Sequence, residues 1–437
     1  MPIIICFLLI YNSACAENDK VYYTLSEVIE IAVKNNPDVR ISDLNIKIET
    51  HGMNTAKAKK MPKLDFNTGV ARTRYPAPVT PISGSPLEGA GFPEFDETIY
   101  DFGVSFILPL YRGGRLDRGI KIAGLKRSIA EDLFDMNRQE LIYNITSIYF
   151  KILQLDKLSE ANEAWVKQLE VHKKNVETFL QAGMVPKVEL LKTETELAHA
   201  MQNSIVIKNN LESAYEILKT LMGIEDLNKK ISVVSETGHK EYPPLEEAMT
   251  RAIEQRPDYK AILKKKKVAK ERVKFVKGER LPAVYLSGEY VNRSGEDFEF
   301  KENWILALRL SIPVFDGGTI RADVNKEKKE MDKVREEERS LRLEINREIK
   351  DAYLNIGNAN ERIGVSWKAI ETAKENLRIE LLKYETGSGT STDVIDAQTM
   401  LLRAQTEYYQ ALYDKAIAIA TLRRATGEDN YKEEMMK

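Results

Sequence analysis

The chain has 437 residues, with 65 Lys plus Arg against 67 Asp plus Glu; a net charge of −2 excludes a broadly basic, nucleic-acid-coating protein. Charged residues make up 30% and apolar ones 43%, which excludes a disordered or collagen-like chain, and a mean hydropathy of −0.38 excludes a bundle of membrane helices. Both cysteines (Cys6, Cys15) lie in the first fifteen residues and the four histidines (His51, His172, His199, His239) show no ligand spacing, so no metal site, cofactor or Cys-His enzyme is expected.

Residues 1–16 read as an export signal. An apolar core from Ile3 to Ile10 precedes Ala14-Cys15-Ala16, an A-x-A pattern cut before Glu17. No Lys or Arg precedes Lys20, which points to a start further upstream. Cys15 is a candidate for lipidation. Asn12 stands three residues before it, where such signals carry Leu, so simple cleavage is favoured. The competing reading of residues 3–10 is a buried N-terminal strand. An exported chain without further cysteines fits a bacterial envelope.

The rest is an internal duplication. Leu25-Ser26-Glu27-Val28 through Asn36-Pro37-Asp38 matches Leu245-Glu246-Glu247-Ala248 through Arg256-Pro257-Asp258, a shift of 220, which also carries Pro62 onto Pro282. Pro109 to Gly114 then matches Pro313 to Gly318 at a shift of 204, and this shift persists through Gly183 and Gly387 and through Gly223 and Gly427. The first copy therefore carries 16 extra residues in the Pro- and Gly-rich stretch around Tyr75 to Pro93, a loop composition. The copies span 17–223 and 243–428, joined by a linker at 224–242 and followed by a tail at 429–437.

In chain order, each copy opens towards a strand pair, at 64–73 and 99–108, then at 284–293 and 304–312. Tyr100, Phe102, Val104, Phe106 and Leu108 alternate with small or polar residues; Leu306, Leu308, Leu310 and Ile312 alternate with Ala307, Arg309 and Ser311. Such alternation fits a half-buried soluble sheet, and each strand also has the roughly 9–11 residues that cross a bilayer at a tilt. If the strands span lipid, open edges are not tolerated and four strands cannot close, so several chains must contribute. Arg309 then faces a lumen, because Leu308 and Leu310 face lipid.

Proline-free stretches follow each strand pair. They predict long helices at 116–181 and 320–386, each about 100 Å long. Ile345, Ile349, Ala352, Ile356, Ala359, Ile363, Ile370, Ala373 and Leu377 form a heptad seam broken by Ser366, which predicts packing on other long helices. The charge run Lys326 to Glu330 reads as a solvated face, and Lys264 to Lys267 as a helical surface interleaved with Ile262, Leu263 and Val268. Both long helices end at glycine-containing tips, with Gly183-Met184-Val185 before Pro186 and Gly387-Ser388-Gly389 before Thr390. Further helices at 188–222 and 393–426 complete two helical hairpins. Asp393 and Asp396, three apart, share a helix face; by position Asp393 is a first-turn residue serving the helix dipole.

These features together resemble the TolC-like outer membrane efflux protein family over residues 22–428. The resemblance rests on the duplicated starts at Leu25 and Leu245, the strand entries at Pro62 and Pro282, the segment Pro313 to Gly318 and the two tips. It implies a mainly α fold with a transmembrane β part: a homotrimer whose twelve strands form an outer-membrane β-barrel and whose long hairpins form an α-barrel in the periplasm of a Gram-negative cell. The implied function is a passive exit duct, not an enzyme, for a tripartite efflux pump or type I secretion system. Its partners would be outer membrane lipid, a periplasmic adaptor (membrane fusion protein) and an inner-membrane RND, ABC or MFS pump, with no nucleic acid. The resemblance also makes Asp393 and Asp396 an acidic pore constriction, Glu189 and Tyr384 a gate latch, and the tip residues Gly183, Met184, Val185, Gly387, Ser388 and Gly389 an adaptor contact. The basic residue that completes the family's latch falls on Gly389, with Lys187, Lys192 and Lys383 as nearby substitutes. The competing class is a periplasmic coiled-coil scaffold or adaptor, which needs no bilayer-length strands.

Overall fold

The structure is a computed structural model; it describes residues 21–72, 96–226, 230–234 and 242–428. The export signal with Cys15, the Pro- and Gly-rich stretch 75–93, most of the linker and the tail lie outside the described residues.

Eight α-helices and six strands occur among the described residues: β1 Val21–Tyr23, α1 Leu25–Asn35, α2 Pro37–Ala58, β2 Lys63–Arg72, β3 Thr98–Arg112, α3 Arg115–Gln181, α4 Lys187–Met222, β4 Ile231–Val233, α5 Leu245–Gln255, α6 Pro257–Lys277, β5 Ala283–Ser294, β6 Lys301–Ser311, α7 Thr319–Glu385 and α8 Ser391–Thr426. The expected strands and long helices are present, with ends displaced by at most four residues. Each copy holds four helices rather than two, because a shorter pair precedes its strands. The proline at the first position of α2 and of α6 separates that pair: its ring suits a helix start and cannot sit inside one. Thr24 starts α1 through a reciprocal capping box with Glu27.

The chain divides into two compact units, each drawn from both copies. The first comprises residues up to Ser42, Phe134–Pro257 and Arg342 onward. Its largest core packs Val28 and Ala32 of α1 against Ile145, Tyr149 and Ile152 of α3 and Leu218 and Met222 of α4. Each fully buried aliphatic side chain contributes roughly 1.5–3 kcal/mol. The parallel pair β1–β4 lies over this core, where the Tyr149 hydroxyl donates to the Val234 carbonyl at 2.5 Å.

The duplication recurs in this unit as a repeated junction. Gly223 ends α4 with φ 66°, and a Cβ there would lie 2.8 Å from the Asn35 carbonyl oxygen. Gly427 ends α8 with φ 75°, and its Cβ would lie 2.8 Å from the Arg256 nitrogen. Asn36 donates to the Leu221 carbonyl at 2.9 Å, and Arg256 at the matching place donates to the Ala425 carbonyl at 3.2 Å. Within α7 the seam is buried as its spacing predicts, from Ile345, Ile349 and Ala352 through Ile356 and Ala359 to Ile370 and Leu377. Ser366 fills its seam position by bonding back to the Arg362 carbonyl at 2.6 Å.

The second unit comprises Asp43–Leu133 and Asp258–Leu341. It contains one antiparallel sheet, ordered β2-β3-β5-β6. Lys264 of the former charge run reaches Asp132 at 2.6 Å and Lys266 reaches Glu338 at 2.6 Å, so α6 is tied to both α3 and α7. Glu271, almost fully buried, takes Arg118, Lys121 and Lys274 at 3.0–3.1 Å. Burial alone would raise its pKa, but the hydrogen bonds and charges of Lys121 and Lys274 outweigh it and hold the carboxyl down at about 2.

Candidate functional site

Cross-strand partners project from the same face of a sheet, so the register sorts the strands' side chains into two sets. Leu64 opposes Phe106, Phe66 opposes Val104, Val104 opposes Tyr290, and Tyr290 opposes Trp304. Gly288 opposes both Phe106 and Leu306, and Leu286 opposes both Leu108 and Leu308. That face is apolar across all four strands, interrupted by Thr68, Asn292 and Glu302 and ending in Arg72, Thr98 and Ser294. The opposite face carries Lys63, Asp65, Asn67, Asp101, Ser105, Ser287, Glu289, Arg293, Lys301 and Asn303, interrupted by Ile99, Ile107, Tyr285, Val291 and Ile305. Arg309 lies on this polar face, opposite Tyr285. A bulge at Leu110 shifts the ladder by one, so Leu108 and Tyr111 both keep to the apolar side.

Among the described residues nothing covers the apolar face. Leu64 is 69% exposed, Trp304 71% and Leu308 69%. Among the described residues β2 and β6 each have one neighbour, so the sheet they form has two open edges. An exposed apolar sheet with open edges is incomplete in water and calls for an apolar medium and further strands. Among the described residues no helix is long and apolar enough to cross a membrane.

The helical tips belong to the first unit. Both are closed by the same carbonyl-capping pattern, with the Met184 N–H donating to the Phe179 carbonyl at 2.8 Å and the Ser388 N–H to the Lys383 carbonyl at 2.9 Å. Gly183 and Gly387 take the left-handed conformation this requires, at φ 71° and 74°. Met184 is exposed and Val185 is half-buried against Val176, Tyr384 and Val394. A Cβ on Gly389 would lie 3.0 Å from that of Lys383, which leaves little room for the basic residue of the family's latch. Of the nearby lysines, Lys383 pairs with Glu380 at 2.8 Å, while Lys192 reaches from α4 to the Thr392 hydroxyl of α8 at 3.3 Å.

Asp393 and Asp396 are both exposed in the first two turns of α8. Asp393 completes a capping box: it accepts from the Thr390 hydroxyl at 2.7 Å and from the Thr390 N–H at 2.9 Å. These two bonds, the hydroxyl first, hold its carboxyl below the usual range. Capping and outward presentation therefore coexist in this residue. Tyr384 is buried, and burial, reinforced by the Glu189 charge, pushes its hydroxyl up to about 12. The two are electrostatic neighbours without a hydrogen bond; the Tyr384 hydroxyl and Glu189 Oε2 are buried and unpartnered.

Sequence reasoning missed the group that joins the tips. His172 of α3 is almost fully buried, hydrogen-bonded through Nε2 to the Ser391 hydroxyl at 2.7 Å and packed on the Tyr384 ring at 4.9 Å. Ser391 is also 3.1 Å from the Thr193 hydroxyl of α4. All four helices of the two hairpins thus meet at one polar cluster. Burial pulls the His172 pKa down to about 4, so the ring is neutral at neutral pH. The signal was available: Trp165, Leu169, His172, Val176 and Phe179 alternate by four and three. No three or more His, Cys, Asp or Glu side chains among the described residues converge as a metal site needs.

Comparison with known proteins agrees with this geometry. Residues 28–224 and 248–428 match the family described as Outer membrane efflux protein. Outer membrane protein TolC of Salmonella enteritidis is 22% identical over 93% of this chain and 82% of its own length. Outer membrane efflux protein BepC of Brucella suis is 19% identical over 92% and 85%. Among solved structures, the CmeC outer membrane channel of Campylobacter jejuni superposes with a TM-score of 0.82 at 19% identity, covering 94% of this chain and 88% of that one. VceC of Vibrio cholerae superposes with 0.81 at 17% identity, covering 92% and 96%. These superpositions establish the shared fold.

Proposed function

The chain belongs to the outer membrane efflux protein family, and from that premise we propose that it is the outer-membrane exit duct of an efflux or type I secretion system. The observation that carries this is the open sheet with one exposed apolar face. In lipid, such a sheet is stable only when its edges β2 and β6 are joined through further copies. Two copies would give eight strands, whose interior is filled by side chains; three give twelve and leave a lumen. The duct is therefore a homotrimer, with Arg309 and the other polar-face residues lining the lumen and Leu308, Leu306 and Trp304 facing lipid.

In this assembly the four long helices of each chain contribute to a helical barrel in the periplasm. Asp393 and Asp396 of three chains bring six carboxylates to one ring, which attracts cations and selects against anions. Glu189 and Tyr384 sit behind that ring, at the junction whose packing sets closure. The tips around Gly183, Met184, Val185, Gly387, Ser388 and Gly389 present the surface for a periplasmic adaptor, which couples the duct to an inner-membrane RND, ABC or MFS pump. The transport step is passive here, with energy supplied by the pump.

A periplasmic scaffold without a barrel has no use for the uncovered apolar face. The discriminating test is purification from bacterial envelopes. Recovery in the outer membrane fraction, extraction only with detergent and a mass three times that of one chain are expected. A freely soluble monomer refutes the duct.

A further inference from the structure

The second unit holds a cavity of about 930 Å³ where α3, α6 and α7 adjoin the sheet. Its lining carries six cations, Arg118, Lys274, Lys277, Arg280, Arg321 and Lys328, and no carboxylate. Glu271, which does not line the cavity, answers Arg118 and Lys274. Among the described residues Lys277, Arg321 and Lys328 enter no ion pair. Lys328 comes from the run that the sequence gives as a solvated face, so one member of that run has a more specific setting.

The duplication supplies an internal control. At the shifts of 220 and 204, Arg280 corresponds to Lys60 and Arg321 to Asp117. Lys60 and Asp117 form an ion pair in the first copy; in the second copy both positions are cationic. α2 carries three cations and three acids, whereas its counterpart α6 carries nine and two. Like charges gathered around one partly enclosed space repel, and the repulsion is relieved when an anion occupies it. Arg280 and Arg321 add planar donor forks, a geometry suited to phosphate oxygens.

The cavity also has a defined level along the strands. Gly278 and Leu281 line it, and the apolar face begins at Val284, three residues beyond Leu281. Gly113, another lining residue, directly follows β3. A group held there sits where the apolar band ends, the level of lipid headgroups. The volume exceeds that of a bare phosphate and admits a substituted one.

We propose that this cavity binds a phosphate ester or free phosphate, carried either by an anionic lipid headgroup or by a soluble anion. The lipid source rests on the membrane reading above; the phosphate chemistry does not.

The test uses the full-length protein in detergent and follows its thermal unfolding. The probes are phosphatidylglycerol, phosphatidylcholine, and inorganic phosphate against chloride at equal ionic strength. The key variant is Arg321→Asp, which recreates the first copy's ion pair opposite Arg280 and so preserves folding; Arg321→Gln is its neutral companion. In the unsubstituted protein the midpoint rises with phosphatidylglycerol or with phosphate, and the variants need about tenfold more ligand for the same rise. A rise with phosphatidylglycerol alone assigns the group to lipid; a rise with phosphate assigns it to a solute. No rise with either, or an equal rise in Arg321→Asp, overturns the proposal. Solubility without detergent would defeat the membrane reading separately, leaving the phosphate arm to report on the cavity.

Discussion

Acid should loosen the junction of the two hairpins through His172. The ring is buried against Tyr384, with its Nε2 on Ser391, and Thr193 and Glu189 come from the neighbouring α4. Its pKa of about 4 lies below the ordinary value of 6.5, and burial is the cause. The opened state therefore binds the proton more tightly than the packed one. Packing stability is complete above pH 6.5 and is lost as pH falls from there through 4. Linkage puts the loss between pH 7.5 and pH 5 at about 2 kcal/mol, or about thirtyfold in the opening equilibrium. The low end of pH 5 stays clear of Glu271, which is held down at about 2, and the high end stays clear of Tyr384, pushed up to about 12. Hydrogen exchange over residues 165–200 and 380–400, corrected for intrinsic rates, measures this opening directly. His172→Gln keeps a donor near Ser391 but does not titrate, so its protection should hardly change with pH. Equal pH dependence in the variant and the unsubstituted protein would refute the reasoning.

Three further outcomes test the other sites. Asp396→Ala should weaken block of the open duct by multivalent cations in a planar bilayer, and adding Asp393→Ala should abolish it while costing about 1 kcal/mol of tip stability through the lost cap; undiminished block in the double variant removes the acidic-ring assignment. Gly183→Ala and Gly387→Ala should each lower stability by about 1 kcal/mol, from backbone conformation alone, because an added methyl meets no atom within 4 Å at either tip. Gly288→Ala, whose methyl would lie 2.2 Å from the Phe106 ring, should cost clearly more in the same denaturation assay, and equal losses would contradict the sheet register. Glu271→Gln should destabilise the second unit by roughly 2–4 kcal/mol at neutral pH by stranding Arg118, Lys121 and Lys274. In the unsubstituted protein that contribution is present above pH 4.5 and declines as pH falls towards 2, so the two proteins should converge in strong acid.

The periodic parts of this fold were legible in the sequence. Alternation by two placed β3 and β6, and alternation by four and three placed the seam of α7, because each pattern has the period of its own element. Fixed shifts between glycines and prolines make the duplication visible in the sequence alone. The β1–β4 pair was not legible: three residues on each side carry no period, and the pairing joins Val21–Tyr23 to Ile231–Val233 across most of the first copy. The shorter helices α1, α2, α5 and α6 left signals in Thr24, Pro37 and Pro257 that the strand and hairpin patterns overshadowed. The placement of Asp393 and Asp396 on one exposed helix face was legible, because their spacing of three lies within one element. The site was illegible where it forms by convergence, as with His172, Thr193 and Ser391, which come from three helices.

The paired junctions at Gly223 and Gly427 are alike in backbone and unlike in chemistry. The first is fastened by the neutral amide of Asn36. The second is fastened by ions, with Arg256 on Glu348 at 2.6 Å and Arg424 on Glu140 at 2.8 Å. In the trimer proposed above, the junctions would be of two alternating kinds, three neutral and three ionic. Salt would screen the half-exposed Arg424–Glu140 pair, while the nearly buried Arg256–Glu348 pair would resist it, so the two kinds of junction would part in their response to ionic strength.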